Sequence, residues 1–507
     1  MKKIVFVLLA VIMPATMSYA GCVDTYGIGS KATSMGGAYA AYADDPFAVY
    51  YNPAGLTQLK TPSFAIGVHM IDPSIEISDF YIEDHPDSGL PGENSKADFS
   101  DDSDNLYAPH MGYAMPITDR LAVGIAAYAP WGLEIEWQND PKNNPGAYNY
   151  FHSYYGRVAV TPAVAYKITD KLSVGVGISI GRSEAGAEKR VYITPDVMSI
   201  SGMDQYAAQV DTAIASTGQS TTTQAAAVYE QLLAGDPGNI QYQQAYGLTS
   251  GLSGMGIETS SDLNGTAAID QDSILELKFK DDFNYSFNIG LMYKPIDTVS
   301  LGFTYRSETD TDFDGDAYIN GTRVSGAGLE YNLPQQVQVG VRYMPHEKFS
   351  MEMDLIWTDW SINSIQAETL DTPVSLLILP GLNSEPSTRL ESERDWEDTK
   401  QVRIGAEYLL NKTIALRCGY FYDPTPIPDN TLDLQWPDAD KKTYSLGAGF
   451  NFDKMTVDTV LQYTDIEKDR KIGGESDNFN HSYSDYDAHV SAGGNLFGAG
   501  VTCTYRF

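Results

Sequence analysis

Positive charge is scarce in this chain. Of 507 residues, 33 are lysine or arginine against 67 aspartate or glutamate, a formal net charge of −34. Such a balance repels a phosphate backbone, so no nucleic-acid partner is expected. Cysteine is nearly missing: Cys22, Cys418 and Cys503 stand far apart, form no CxxC, and leave at least one thiol unpaired. They imply neither a disulfide framework nor a zinc site. The seven histidines contain no HExxH pair, so metal hydrolysis is not suggested. Beyond the N-terminus, no segment offers the ~18 uninterrupted apolar residues of a membrane helix. Any membrane crossing must then be made of strands.

What is present begins with an export signal. Lys2 and Lys3, the apolar run Ile4 to Met13 and Ser18-Tyr19-Ala20 form a charged start, a short hydrophobic middle and a small-residue cleavage site. Residues 1–20 are read as the signal, with Gly21 first in the mature chain. Tyr19-Ala20-Gly21-Cys22 also resembles a lipoprotein cleavage box with tyrosine in place of leucine, so acylation of Cys22 stands as an alternative to a plain thiol.

From residue 61 onward one pattern repeats: an alternating strand, a tight turn, a returning strand, a longer polar loop. Strand side chains alternate faces, so a transmembrane barrel shows one apolar parity for lipid and one small or polar parity for the lumen. Val158, Val160, Val164 and Tyr166 oppose Arg157, Thr161 and Lys167. Val174, Val176, Ile178 and Ile180 oppose Ser173, Gly175, Gly177 and Ser179, and Val337, Val339, Val341 and Tyr343 oppose Gln336, Gln338, Gly340 and Arg342. Tyrosines gather at strand ends, as aromatic girdles do at membrane interfaces. Short turns fall at Pro116 to Arg120, Ile168 to Lys171, Pro295 to Thr298, Pro345 to Lys348, Leu410 to Lys412 and Asp453 to Lys454. The pattern predicts an all-β, closed antiparallel barrel of about fourteen strands. The longest loop, 195–270, carries two stretches without alternation, Met203 to Ala215 and Thr223 to Ala234, which predict short helices. A second loop holds the apolar run Val374 to Pro380, read either as loop packing or as part of an exterior apolar groove.

Between signal and barrel lies a stretch rich in small residues, GSKATSMGGAYAAYADDPFAVYYNPAGL from Gly29 to Leu56. Some thirty residues cannot bury a core of their own, so this segment needs a cavity to occupy. With Gly36, Gly37, Asp44, Asp45, Asn52, Pro53 and Gly55 in place, it resembles the N-terminal hatch of the FadL/TodX-type outer-membrane transporters of Gram-negative cells. The resemblance extends along the chain and implies a hatch over residues 21–60 inside a barrel of residues 61–507. It implies passive uptake of long-chain fatty acids, or on the same fold of aromatic hydrocarbons, by loop capture, lumenal binding and lateral release, with no cofactor and no catalysis. In that family a kink in the third strand opens the wall. Here the third strand, Leu121 to Trp131, carries Pro130 before Gly132, and proline cannot donate to a ladder. The alternative is that Pro130 begins the next loop.

A fatty acid's carboxylate needs a basic partner in a dry lumen. Parity turns Arg157, Arg306, Arg342, Arg403 and Arg417 inward, with Arg157 and Arg342 the first choices for binding. Glu352, Asp354, Glu407 and Asp458 are inward acids available for pairing, and Asp44 and Asp45 are expected to tie the hatch to wall arginines. Asp310, Asp312, Asp314 and Gly315 begin like a calcium loop, but Gly321 stands where a glutamate is needed, so an exposed acidic loop is expected. Ser153 beside His152 is the one pair a barrel lipase would offer, and neighbours on a strand face opposite ways. The terminal Phe507 resembles the signal read by the outer-membrane insertion machinery. A monomer surrounded by lipid and lipopolysaccharide is expected.

Overall fold

The computed structural model describes residues 27–85, 95–190, 200–254, 257–260, 273–371, 389–483 and 485–507. The export signal, Cys22 and the Val374 to Pro380 run lie outside the described residues.

The strands join into one 19-stranded antiparallel sheet whose first and last members pair, so the sheet closes. The first part of the wall comprises β1 (Ser63–Ile82), β2 (Ala97–Ser100), β3 (Leu106–Pro116), β4 (Leu121–Glu136), β5 (His152–Lys167), β6 (Leu172–Arg190) and β7 (Ile274–Ile296). It continues through β8 (Val299–Arg306), β9 (Phe313–Ile319), β10 (Thr322–Glu330), β11 (Gln336–His346), β12 (Phe349–Thr358) and β13 (Ile365–Leu370). It ends with β14 (Arg389–Glu393), β15 (Thr399–Leu409), β16 (Ile414–Asp423), β17 (Lys441–Phe452), β18 (Met455–Gly473) and β19 (Ala488–Arg506). β2 with β3, β8 with β9, β10 with β11, β12 with β13, and β14 with β15 are halves of interrupted strands, so the wall is a 14-strand barrel. Closure leaves no edge, which is what lets a sheet exist in hydrocarbon.

The predicted parity holds. Val339, Val341 and Tyr343 on β11 and Met351, Met353 and Leu355 on β12 are exposed on the outer face, whereas Gln336, Gln338, Ser350, Glu352 and Asp354 are buried inward. Cys418 and Cys503 lie on the exposed parity as free thiols. The predicted tight turns join β3 to β4, β5 to β6, β7 to β8, β11 to β12, β15 to β16 and β17 to β18. All lie at one end of the barrel, the periplasmic end by their shortness.

Four interruptions fall at one level. Arg306, Gln336, Thr358 and Thr399 are successive cross-strand partners, and each strand breaks just after or before that row. The breaks turn Tyr331, Trp360 and Trp396 inward. There they meet Trp131 and Trp436: ring centroids are 5.7 Å apart for Trp131 and Trp360, 5.4 Å for Trp360 and Trp396, and 5.8 Å for Trp396 and Trp436. Tyr331 stacks on Trp436 at 5.6 Å, and Tyr155 meets Tyr331 at 5.1 Å. An aromatic layer thus spans the lumen.

The long loop carries three helices, α3 (Ile200–Ser216), α4 (Thr222–Gly235) and α5 (Ile240–Gly254), numbered after two short ones described below. The third was missed because Gly247, Gly251 and Gly254 lower its helix propensity, and packing against α4 compensates.

Candidate functional site

The segment from Gly27 to Leu59 lies inside the wall and contains α1 (Ser30–Ser34), α2 (Ala48–Tyr51) and a 3-10 turn (Pro53–Gln58). From Gly27 to Leu56 every residue is buried except the half-buried Lys31, Asp44 and Asp45. Small residues on both sides make the fit possible. A Cβ at Gly302 would stand 2.1 Å from the Ala40 carbonyl oxygen, and one at Gly419 would stand 2.0 Å from the Gly36 nitrogen. Gly36 and Gly37 themselves turn the chain at φ 66° and 73°, in the left-handed region that favours glycine.

Wall acids hold the plug by its backbone. Asp354 Oδ2 accepts from the amides of Tyr39 and Ala40, each at 3.0 Å, and Glu352 Oε1 accepts from Ala41 N at 2.6 Å. The expected direction of anchoring is thereby corrected. Asp44 takes its ion pair from Lys31 at 2.6 Å and a hydrogen bond from the Tyr39 hydroxyl at 2.8 Å, both within the plug. Asp45 accepts from Tyr39 and from Phe47 N. A plug that tight has backbone amides to satisfy, and a carboxylate from the wall can serve two at once where an arginine can serve none.

Asn52 is the tie between halves of the plug and the wall. Its amide donates to the Ala40 carbonyl at 2.6 Å and the Leu291 carbonyl of β7 at 3.0 Å, while its oxygen accepts from Ala54 N, just past Pro53, at 3.1 Å. Asn52→Ala should weaken plug attachment by about 3 kcal/mol, because three buried backbone groups lose a partner at ~1 kcal/mol each. Hydrogen exchange over residues 27–59 should rise and uptake should change, with barrel yield intact. Equal loss of yield and uptake would show that the turn serves assembly alone.

A cavity of about 40 Å3 opens above α2, lined by Tyr50, Tyr128, Pro130, Trp131, Arg157 and Arg306 among others. Arg157 on β5 is 2% exposed. Its Nε donates to Asn284 at 2.7 Å and its Nη1 to Ser179 at 3.3 Å, while Nη2 is buried with no hydrogen-bond partner. Arg306 on β8 donates to the Tyr50 carbonyl, Gln336 and Gln338, and its guanidinium lies 4.3 Å over the Tyr50 ring. Among the described residues neither arginine enters an ion pair. Arg342 is elsewhere, 3.3 Å over the Tyr42 ring and donating to Ser350 at 3.2 Å. Arg417 is a structural pair, bound to Glu407 and Asp458 at 2.7 Å each. Of the two first-choice arginines, the cavity receives Arg157 and not Arg342.

Pro130 lies where β4 departs from regularity. The strand does not end at Trp131 as expected but runs to Glu136, so Pro130 does not begin a loop. Tyr128 opposes Ala159 of β5 and Trp131 opposes Arg157, so Ala129 and Pro130 together face the single residue Val158. This one-residue bulge reverses parity: Ala122, Ala126 and Tyr128 point inward below it, Trp131, Ile135 and Trp137 above it. On the other side, β3 and β4 pair only from Met111 with Ala127 down to Pro116 with Ala122. Leu106 to His110 keep their β1 partners and have no ladder to β4. The gap closes above at the Asp101–Trp137 bridge and the 2.7 Å bond from Asp102 N to the Glu136 carbonyl. Gly132 is above the bulge, opposite Gly156, and Trp131 forms the cavity side of the gap.

Sequence reasoning missed the aromatic layer and the part Tyr50 takes in the cavity. Trp360 and Trp396, two of only six tryptophans, fall in strand interruptions, and that coincidence was the available signal.

A closed barrel with an apolar outer face, a filled lumen and one unzipped strand pair defines an outer-membrane transport protein. The chain belongs to the outer membrane protein transport protein family (OMPP1/FadL/TodX), whose model matches residues 9–507. It is 22% identical over 475 residues to the long-chain fatty acid transport protein of Escherichia coli O6:H1, covering 88% of this chain and 87% of that one. Outer membrane protein P1 of Haemophilus influenzae is 23% identical, with 93% of each chain covered. Among solved structures, a Pseudomonas aeruginosa FadL homologue superposes with a TM-score of 0.66 at 17% identity, covering 97% of this chain and 100% of that one. The Pseudomonas putida toluene transporter TodX gives 0.57 at 14%, covering 96% and 99%. At these identities the structural matches speak for the fold.

Proposed function

We propose that this protein is a passive channel for long-chain fatty acids or similar hydrophobic molecules across the outer membrane. The observation that carries the reading is Arg157, a buried cation with no carboxylate and one unpartnered N–H, facing a cavity beside the unzipped β3–β4 pair. A carboxylate fits that vacancy in charge, and 40 Å3 accommodates the head of a fatty acid and not its chain. The chain must then lie in the gap alongside Pro130 and Trp131. Solute gathers first on the helical loop of α3 to α5, passes to the cavity, and leaves sideways when the plug residues from Gly36 to Gly55 shift. No energy source enters the scheme.

Labelled oleate and labelled toluene binding to the detergent-purified protein tests this. Arg157→Ala and Arg306→Ala should each weaken oleate binding roughly tenfold, the worth of one charged hydrogen bond, and Arg342→Ala should leave it unchanged. Toluene bound equally by all four proteins, with little oleate, would instead mark a neutral-hydrocarbon channel. The aromatic layer of Trp131, Trp360 and Trp396 favours that second reading, since ring faces suit aromatic solutes.

We read the protein as non-catalytic. Ser153 donates to the Gln435 carbonyl at 2.8 Å, and His152 sits between Glu134 and Glu188 on the other face of β5, so the two do not form a nucleophile and base. The reading as a monomer in lipid and lipopolysaccharide, delivered by the insertion machinery, is supported by an outer face apolar along its strands and by Phe507, whose amide closes onto the Pro62 carbonyl at 3.0 Å.

A further inference from the structure

At the periplasmic end, below the plug, a second and much larger hollow of about 720 Å3 opens between the β3–β4 turn, the β5–β6 turn and the end of β7. Five bases line it: Lys60, Arg120, Lys167, Lys171 and Lys294. Only two acids, Asp119 and Asp170, accompany them. The chain as a whole carries twice as many acids as bases, so the local balance is reversed. Among the described residues none of the five bases enters an ion pair. The floor of the hollow is apolar, from Leu59, Leu121, Ala122 and Met292, and Ile117 is exposed at its rim. Thr57 and Ser173, bonded at 2.9 Å, join plug to wall at its inner end. Lys171 Nζ donates to the Pro295 carbonyl at 2.7 Å; a concave mouth whose cations lack ion pairs, with apolar side chains among them, suits a chain with a negative head.

We propose that this mouth binds the anionic head, phosphate or carboxylate, of a long-chain amphiphile on the periplasmic side. The site is separate from the lumenal cavity and shares no residue with it. The head is held by point charges at a wet rim, so binding weakens as salt rises. Two sources have this chemistry: phospholipid of the inner-facing leaflet, and a fatty acid that has crossed the channel.

The test uses the full mature chain in detergent with three probes: inorganic phosphate, short-chain phosphatidylglycerol and oleate. The variant is Lys60→Gln/Arg120→Gln/Lys294→Gln, with the single Lys294→Glu beside it should the triple fail to fold. Affinity for phosphatidylglycerol or oleate should fall roughly fivefold for each charge removed. Loss for the phospholipid alone assigns the leaflet lipid, and loss for oleate alone assigns the transported acid. Unchanged binding of both amphiphiles, or an effect confined to inorganic phosphate, overturns the proposal. Arg157→Ala in parallel separates the two sites, because it acts on the lumenal oleate component and not on phosphatidylglycerol.

Discussion

Deletion of Pro130 should cut uptake by roughly tenfold or more while the barrel still assembles. The register makes the deletion unusually clean. Ala129 and Pro130 share one partner, Val158, so removing one residue leaves Tyr128 opposite Ala159 and Trp131 opposite Arg157 as they are now. Inward and outward faces on both sides are kept. What changes is the bulge, which bends β4 away from β3 above Met111 and Ala127. A straight β4 with a full set of amides can continue the ladder toward Leu106, and a barrier raised by 1.4 kcal/mol already slows passage tenfold. Uptake of labelled oleate into vesicles, set against heat-modifiable gel mobility as the check on folding, measures it. Uptake unchanged in a folded variant would mean that solute does not leave through the β3–β4 gap. Pro130→Ala is the milder companion: the bulge remains, so most of the activity should too.

The largest loss of stability should follow Arg417→Met, at about 3–5 kcal/mol. Arg417 bonds Glu407 and Asp458 at 2.7 Å, and all three side chains are about 5% exposed. Glu407 also accepts from the Tyr42 hydroxyl of the plug at 2.6 Å. Without the guanidinium, two buried carboxylates lose their counter-charge, and one of them is the plug's own contact. Barrels of this kind unfold slowly, so the measurement is the unfolding rate in denaturant at fixed temperature, with plug exposure followed by protease. Changing all three residues to apolar ones of similar volume should restore much of the loss, since a buried ion network holds the structure less by its attraction than by the penalty for breaking it. If Arg417→Met unfolds at the wild-type rate, the triad is dispensable and the plug is held by its other wall contacts, among them Glu352, Asp354 and Asn52.

Both predictions depend on facts of different visibility in the sequence. The alternation of Val174 to Ile180 against Ser173 to Ser179 required a two-faced sheet, and the tight turns from Pro116 to Lys454 required antiparallel neighbours. The small-residue run from Gly29 to Leu56 required a cavity around it. Even the bulge announced itself, through a proline in a wall strand, although the strand's continuation to Glu136 did not. Locally encoded features of this kind are legible because alternation, turn chemistry and backbone geometry act over a few residues.

The site itself was decided by closure. Arg157 and Arg306 lie 149 positions apart, and they share a cavity only because β5 and β8 curve around one lumen with Tyr50 of the plug between them. By parity Arg342 looked as good, yet the plug delivers the Tyr42 ring to it and leaves it no cavity. The inward acids were visible in the sequence; that Asp354 and Glu352 meet the amides of Tyr39 to Ala41, and not an arginine, follows from where a plug with no strand partners must find acceptors. The sequence by itself determined which faces of which strands are wet, dry or empty. Only the tertiary structure decided which residues meet across the empty space, because partners on opposite walls are set by register, shear and the seating of the plug, none of which leaves a local trace.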